Sequence, residues 1–355
     1  MKTTVNRKSF ILKLQVLSTA SDTGSIEVDS SGIVMESFGF DKMLSTSLQS
    51  QNNTPGKVWV DLKKMTQILK TLECEDIILK FNNNNLKIKG GTSNFNLFVK
   101  QEQYRWEEEP YDCKITLNQD DFKNCIKKVY CAAPRDNLSC SSPMNGVFIK
   151  LVNDGVEFVA TDGKRLATSV MTASHNYEDM SATIPLVAAR NIDKVISGEG
   201  EVELKFNSNM ISIGTYSTRM VARLRESVYP DYNKVLDKIS SDISININRE
   251  SFLTTLKRVA TVISNPANEA VKTEINNGKI ILSAQSSSFG SSKEDIDCSY
   301  TGEKKEFSFN HLFLLDPFMS TNSNSLNMKL GNNDNTPVSI ITENYKYLLM
   351  PMRGI

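Results

Sequence analysis

The sequence predicts an α+β protein built as three tandem copies of one unit, each with two helices packed on antiparallel sheet. Three observations carry this. Landmarks recur three times in the same order, the leading phenylalanines Phe10, Phe122 and Phe252 lie 112 and 130 residues apart, and the segments between helices are short and alternate apolar with polar residues. The boundaries this implies are 1–114, 115–238 and 239–355.

The first landmark is a polar cap followed by a helix: NRKSFILKLQVL from Asn6, NQDDFKNCIKKVY from Asn118 and NRESFLTTLKRVA from Asn248. Phe122, Cys125, Ile126, Val129 and Tyr130 follow the i, i+3, i+4, i+7, i+8 pattern of a core-facing stripe, and Phe252, Leu256, Val259, Ala260 and Ile263 do the same. The second landmark is a strand running into another helix, KVWVDLKKMTQILKTL from Lys57, ATIPLVAARNIDKVIS from Ala182 and EFSFNHLFLLDPFMS from Glu306. Six helices are therefore expected, over 6–18, 60–71, 117–131, 185–196, 248–264 and 310–322. The third landmark is a hairpin with an Asn-rich turn, from Leu79, Leu204 and Met328. A further hairpin is read over Gly155–Met171, turning at Asp162-Gly163, because an Asp-Gly pair between alternating runs favours positive φ. Only this copy carries Lys164-Arg165-Leu166 after its turn.

At 355 residues the chain is long enough for two or three domains, each with its own core. No segment approaches the apolar run of a membrane span, and MKTTVNRKSF has no signal-like apolar core, so the expected location is cytoplasmic. The six cysteines form no CxxC pair and are read as reduced packing residues. His175 and His311 have no second His or Cys at ligand spacing, so neither a metal site nor a cofactor is expected.

Charge distribution says more than net charge, which is zero with 41 basic and 41 acidic residues. The six expected helices hold 14 basic and 6 acidic residues, a net of +8, leaving −8 on the remainder. Lys127-Lys128 and Lys257-Arg258 fall at equivalent offsets from their leading Phe, on the face turned from the core. Lys64, Arg190 and Lys194 likewise oppose the buried sides of their helices. Basic helices on an acidic body would favour DNA only where the helices point.

ATDGKRLA from Ala160, YPDYNKV from Tyr229 and the terminal MPMR from Met350, in this order and with the triplication, resemble the sliding clamp of bacterial replicative polymerases, the DNA polymerase III beta subunit. The resemblance covers the whole chain. It implies three tandem DNA-clamp domains and a head-to-tail homodimer closing into a ring. Twelve helices spaced about 9 Å apart on a circle leave about 25 Å clear, enough for a duplex. It implies a non-catalytic processivity factor whose partners are double-stranded DNA without sequence preference, the replicative polymerase, the clamp loader, and repair or translesion polymerases bearing short motifs. Carried over to this sequence, the motif pocket comprises Thr161, Gly163, Lys164, Arg165, Leu166, Pro230, Val235, Met350, Pro351, Met352 and Arg353. The DNA-facing set is Lys64, Lys127, Lys128, Arg190, Lys194, Lys257 and Arg258, and the dimer contacts are Tyr104, Val262 and Ile263.

The chain departs from the family pattern in several places. Gly354 intervenes before the last apolar residue, STASDTGSIEVDS replaces the basic loop after the first helix, and helix 310–322 has no Lys or Arg but contains Pro317. Such divergence suggests a distant host or a viral version. Two other classes compete with the clamp. A monomeric repeat scaffold would bind proteins without encircling DNA, and an enzyme would use Gly90-Gly91-Thr92-Ser93 as a phosphate cradle, although that segment lacks the lysine and helix of a P-loop. Glu107-Glu108-Glu109 and Asp120-Asp121 read as a solvated linker and a helix N-terminus, not as catalytic carboxylates.

Overall fold

The computed structural model describes residues 1–82, 84–102, 107–134, 143–178, 180–196, 199–224, 228–237, 243–266, 269–331 and 336–352. Its helices are α1 Arg7–Leu17, α2 Leu62–Lys70, α3 Gln119–Tyr130, α4 Leu186–Ala189, α5 Ile192–Val195, α6 Asn233–Leu236, α7 Arg249–Val259 and α8 His311–Met319. All strand pairings among the described residues are antiparallel and fall into four sheets.

The polar caps read from sequence do cap. The side chains of Asn6 and Asn248 accept the backbone N–H of Ser9 and Ser251 at 3.1 and 2.9 Å, and Asn118 accepts those of Asp120 and Asp121. The residue after each cap repeats a second interaction. Arg7, Gln119 and Arg249 donate their backbone N–H to Glu75, Gly200 and Asn324, each one residue before a strand. The side chains also reach main-chain carbonyls: Arg7 those of Leu69 and Cys74, Gln119 that of Glu201, and Arg249 that of Phe318. Leu69 and Phe318 sit in the last turns of α2 and α8, so these arginines serve helix-end carbonyls, of which that of Leu69 also accepts the N–H of Leu72 at 3.4 Å.

Two helices differ from expectation. Residues 185–196 form the two single turns α4 and α5, because Asn191 leaves helical geometry at φ −101, ψ 5 and its amide donates back to the carbonyl of Val187 at 2.7 Å. The helix expected to reach 264 ends at Val259 and tightens into a 3-10 turn over Ala260–Val262. Inside α8, Pro317 has no N–H for the carbonyl of Phe313, and the buried hydroxyl of Tyr347 donates to that carbonyl at 2.8 Å.

The chain divides into two compact units, Met1–Lys123 with Val187–Glu226, and Asn124–Leu186 with Ser227–Ile355. The first holds a five-stranded sheet and an eight-stranded one, in which strand Lys42–Leu48 pairs with Thr218–Arg223. The second holds an eight-stranded sheet, in which Arg165–Thr172 pairs with Tyr345–Leu349, and a four-stranded one. The middle repeat thus gives four strands to a sheet in each unit. Compactness follows shared hydrogen-bonded sheets here rather than sequence repeats.

The GGTS segment is a hairpin turn, with Gly90 paired to Ser93 and Gly91 at φ +58, and it leads directly into strand Ser93–Phe98 rather than a helix. Cys74, Cys113 and Cys298 carry free thiols.

Candidate partner pocket and nucleic-acid face

The hairpin singled out from sequence pairs Gly155–Thr161 with Arg165–Thr172. Its turn is held by short side chains. The carboxylate of Asp162 accepts the backbone N–H of Lys164 and Arg165 at 2.9 and 3.1 Å, and the Thr161 hydroxyl donates to the Arg165 carbonyl at 2.7 Å. Gly163 stands at φ +82, the left-handed region a side chain would strain. The last strand, Tyr345–Leu349, runs beside this hairpin, and just beyond it the N–H of Met350 donates to the carbonyl of Lys164 at 2.9 Å.

A cavity of about 320 Å³ opens at this junction, within the size range of ligand sites. It is lined by Thr161, Gly163, Lys164, Arg165 and Leu166 of the hairpin, by Pro230 and Val235 around α6, and by Met350. These eight are residues the sequence placed there. Pro351 and Met352 do not line it: Pro351 is buried, and the N–H of Met352 is tied to the Ser308 carbonyl at 2.7 Å, which draws the chain past the cavity. Arg353 lies outside the described residues. Met144, Asp231, Tyr232, Pro337 and Leu348 also contribute to the lining and were not singled out from sequence. Strand alternation next to Leu349 could have marked Leu348; Met144 and Pro337 had no such signal.

Under the cavity lies an apolar and aromatic layer of Val159, Leu166, Tyr229, Tyr232 and Leu348, with Phe148 stacked on Tyr229 at 4.6 Å between ring centroids. The hydroxyl of Tyr232 donates to Glu157 at 2.6 Å; burial and that carboxylate raise its pKa, so the phenol stays neutral.

Arg165 lines the cavity with its side chain fully buried. Its Nε donates to Asp162 at 3.0 Å, its Nη1 to Asp316, and its guanidinium lies 3.9 Å from the centroid of the Phe313 ring. Burial by itself disfavours the charge, but Tyr347, Asp316 and Asp162 outweigh it and hold the pKa above its ordinary value. The buried cation is thereby spent on orienting the turn.

Among the expected DNA-facing residues, Lys64, Lys127, Arg190, Lys194, Lys257 and Arg258 are exposed and Lys128 is half-buried. Arg258 is not a free cation: its Nε and Nη2 bind the carboxylate of Glu294 at 2.9 and 2.6 Å. At least six of the 14 helix-region cations serve acceptors of the protein itself. Arg7 and Arg249 serve carbonyls as described, Lys123 reaches the Ile196 carbonyl, Lys13 the hydroxyls of Ser217 and Thr218, Lys63 pairs with Asp22, and Arg258 with Glu294. The charge available to a ligand is therefore smaller than the sequence tally. Val262 and Ile263 are half-buried at the end of α7, and Tyr104 lies outside the described residues.

Three successive domains of helices on antiparallel sheet, with a cavity at the Thr161–Leu166 turn and no metal-holding cluster among the described residues, define a clamp-type architecture. The descriptions "DNA polymerase III beta subunit" N-terminal, central and C-terminal domain match residues 1–105, 116–231 and 233–353, and the chain belongs to that family. Relatives include the beta sliding clamp of Chlamydia pneumoniae, 26% identical over 305 residues that cover 84% of this chain and 81% of the relative. The beta sliding clamp of Pseudomonas putida is 25% identical, with coverage of 84% and 82%. Among solved structures, a sliding clamp of Pseudomonas aeruginosa bound to griselimycin superposes with TM-score 0.92 at 20% identity, covering all of both chains. The beta subunit from Thermotoga maritima gives 0.89 at 21%, also over both whole chains.

This chain is a DNA sliding clamp, a non-catalytic processivity factor whose partners are DNA and a polymerase, in a family that typically forms ring-shaped homodimers. No helix among the described residues is long and apolar enough to cross a membrane.

Proposed function

We propose that the cavity at Thr161–Leu166 receives short linear motifs of the replicative polymerase, the clamp loader, and repair or translesion polymerases, in the cytoplasm. The observation that carries this reading is the convergence of three separated segments on one apolar cavity: the hairpin turn, the stretch around α6, and the last strand. Methionine and proline at its wall suit several related ligands, the one adaptable and the other rigid. Pro351 and Met352 act from beyond the cavity, where they meet the flanking residues of a motif, and Arg353 belongs to the same motif site. Tethering a polymerase here raises its effective concentration at the primer end, so moderate affinity suffices.

Lys64, Lys127, Lys128, Arg190, Lys194 and Lys257 contact duplex phosphates without reading bases, with Arg258 a weaker member. Closure of the homodimer involves Tyr104 of the first domain with Val262 and Ile263 of the third. The position of the last two supports this, since α7 and its 3-10 turn pack on strand Gly290–Asp297, an edge strand of the four-stranded sheet. Domain boundaries are placed at 1–114, 115–238 and 239–355. The test is to load the protein with its clamp loader and ATP on nicked circular DNA, isolate the complex and linearise it. Retention before cutting and loss afterwards is expected; equal retention in both rejects encirclement.

A further inference from the structure

Val262 and Ile263 stand where α7 has run out, on a short 3-10 turn whose hydrogen-bond geometry is poorer than that of an α-helix. The turn ends on a bond from the N–H of Ile263 to the Ala260 carbonyl at 3.1 Å, and Ile263 has already left helical geometry at φ −74, ψ 121. What fixes the chain beyond it is the carboxylate of Glu269. Its Oε2 accepts the backbone N–H of Ser264 at 2.6 Å and that of Asn265 at 3.1 Å, and the Ser264 hydroxyl donates to Oε1 at 2.9 Å. The same Oε1 takes the hydroxyl of Ser286 at 2.9 Å, from the last residue of strand Lys279–Ser286. That strand pairs with the edge strand Gly290–Asp297, whose Ser292 hydroxyl donates to the Val259 carbonyl at 2.7 Å. The apolar pair is therefore bracketed: Ser292 holds the residue before the turn, and Glu269 the residue after Ile263.

We infer that Glu269 is a positioning residue for subunit closure: by joining the segment after Ile263 to the sheet, it sets Val262 and Ile263 in the geometry that a second copy of the chain meets. This rests on the reading of those two residues as subunit contacts. Half-buried apolar side chains on an unheld turn have to be ordered as the subunits join, and that ordering weakens association. A carboxylate suits the task because it only accepts, and the two backbone N–H groups and two hydroxyls around it all donate. Glutamine keeps an acceptor for the two N–H groups, while the serine hydroxyls can turn to accept from its amide. Alanine keeps nothing.

The test measures self-association of the fluorescein-labelled full-length protein by fluorescence-detected sedimentation over a dilution series. Glu269→Ala is expected to raise the dissociation constant about tenfold, and Glu269→Gln to bring it back to within about threefold of the unaltered chain. Ile263→Ala is expected to weaken association in the unaltered chain and to do so much less in the Glu269→Ala background, because the two residues act through one contact. A residue that merely stabilised the fold would leave the effect of Ile263→Ala the same in both backgrounds. Ser286→Ala keeps the bonds from Ser264 and Asn265 to Glu269 and removes only the link to the strand, so it serves as a second measure should Glu269→Ala not fold; about threefold weaker association is expected. Unchanged association in Glu269→Ala or Ser286→Ala, a loss in Glu269→Gln as large as in Glu269→Ala, or additive effects with Ile263→Ala overturns the inference while leaving the contact reading standing. If Ile263→Ala associates as tightly as the unaltered chain, both fall.

Discussion

Asp316 receives Nη1 of Arg165 across 151 residues of sequence, joining α8 to the hairpin turn that forms the cavity. The same stretch of α8 presents Phe313 to the Arg165 guanidinium and, because Pro317 leaves a carbonyl free, takes a hydrogen bond from Tyr347. One ion pair, one ring contact and one hydroxyl thus tie a helix without Lys or Arg to the elements around the cavity.

Removing that anchor should be costly. Asp316→Ala leaves Arg165 with one carboxylate in a buried setting, and the loss of one partner of a buried pair is worth about 3–5 kcal/mol. Urea denaturation followed by circular dichroism should show the midpoint falling accordingly; an unchanged midpoint would mean that Asp162 alone carries the cation.

Truncation after Leu349 removes both the Met350 bond to Lys164 and the Met352 bond to Ser308. Peptide binding at the cavity should be lost, while sedimentation still reports the oligomer of the full chain. Undiminished peptide affinity in the truncated protein would move the motif site elsewhere.

Replacing Lys127, Lys128 and Lys257 with Ala should weaken DNA association and flatten its dependence on log salt by about 0.9 for each phosphate left without its cation. Arg258→Ala alone should do less, because Glu294 already neutralises that guanidinium. A filter-binding series over several salt concentrations reads both effects, and an unaltered slope in the triple variant would exclude those lysines from phosphate binding.

Arg249→Ala removes a hydrogen bond from a charged donor to the Phe318 carbonyl at the end of α8. The expected loss is about 1.5–3 kcal/mol, read from the denaturation midpoint. A shift below a few tenths would show that water replaces the guanidinium.

Glu269 provides a pH signature. Backbone N–H groups of Asn265 and Ser264, with the hydroxyls of Ser286 and Ser264, outweigh the burial that opposes ionisation, and its pKa falls from 4.5 to about 2. A carboxylate depressed on folding contributes stability above its unfolded pKa, and that contribution disappears as pH falls towards 2. Carboxyl carbon shifts in an NMR titration should show Glu269 still ionised at pH 3.5, and a midpoint near 4.5 would refute the arrangement.

Much of the cavity was legible because its residues cluster in short, distinctive stretches: Thr161 to Leu166, Pro230 to Val235, and Met350. Met144 and Pro337 were not, since nothing local distinguishes a methionine or proline that happens to reach a distant wall. The charge tally was legible as composition but not as availability. Whether Arg7 or Arg249 faces a ligand depends on carbonyls more than 60 residues away, which no helical phase can reveal.

The sequence alone determined the triplication, the Asn caps, the core-facing stripes and the α+β class, because each follows from local preference and periodicity within one stretch of chain. Only the tertiary structure decided that sheets span successive repeats, that residues 185–196 break into two turns, that Arg165 is buried against Asp316, and that Lys164 stands at the cavity mouth with no ion-pair partner among the described residues. Those outcomes depend on which groups meet across long separations, where burial and hydrogen-bond satisfaction, rather than local pattern, select the result.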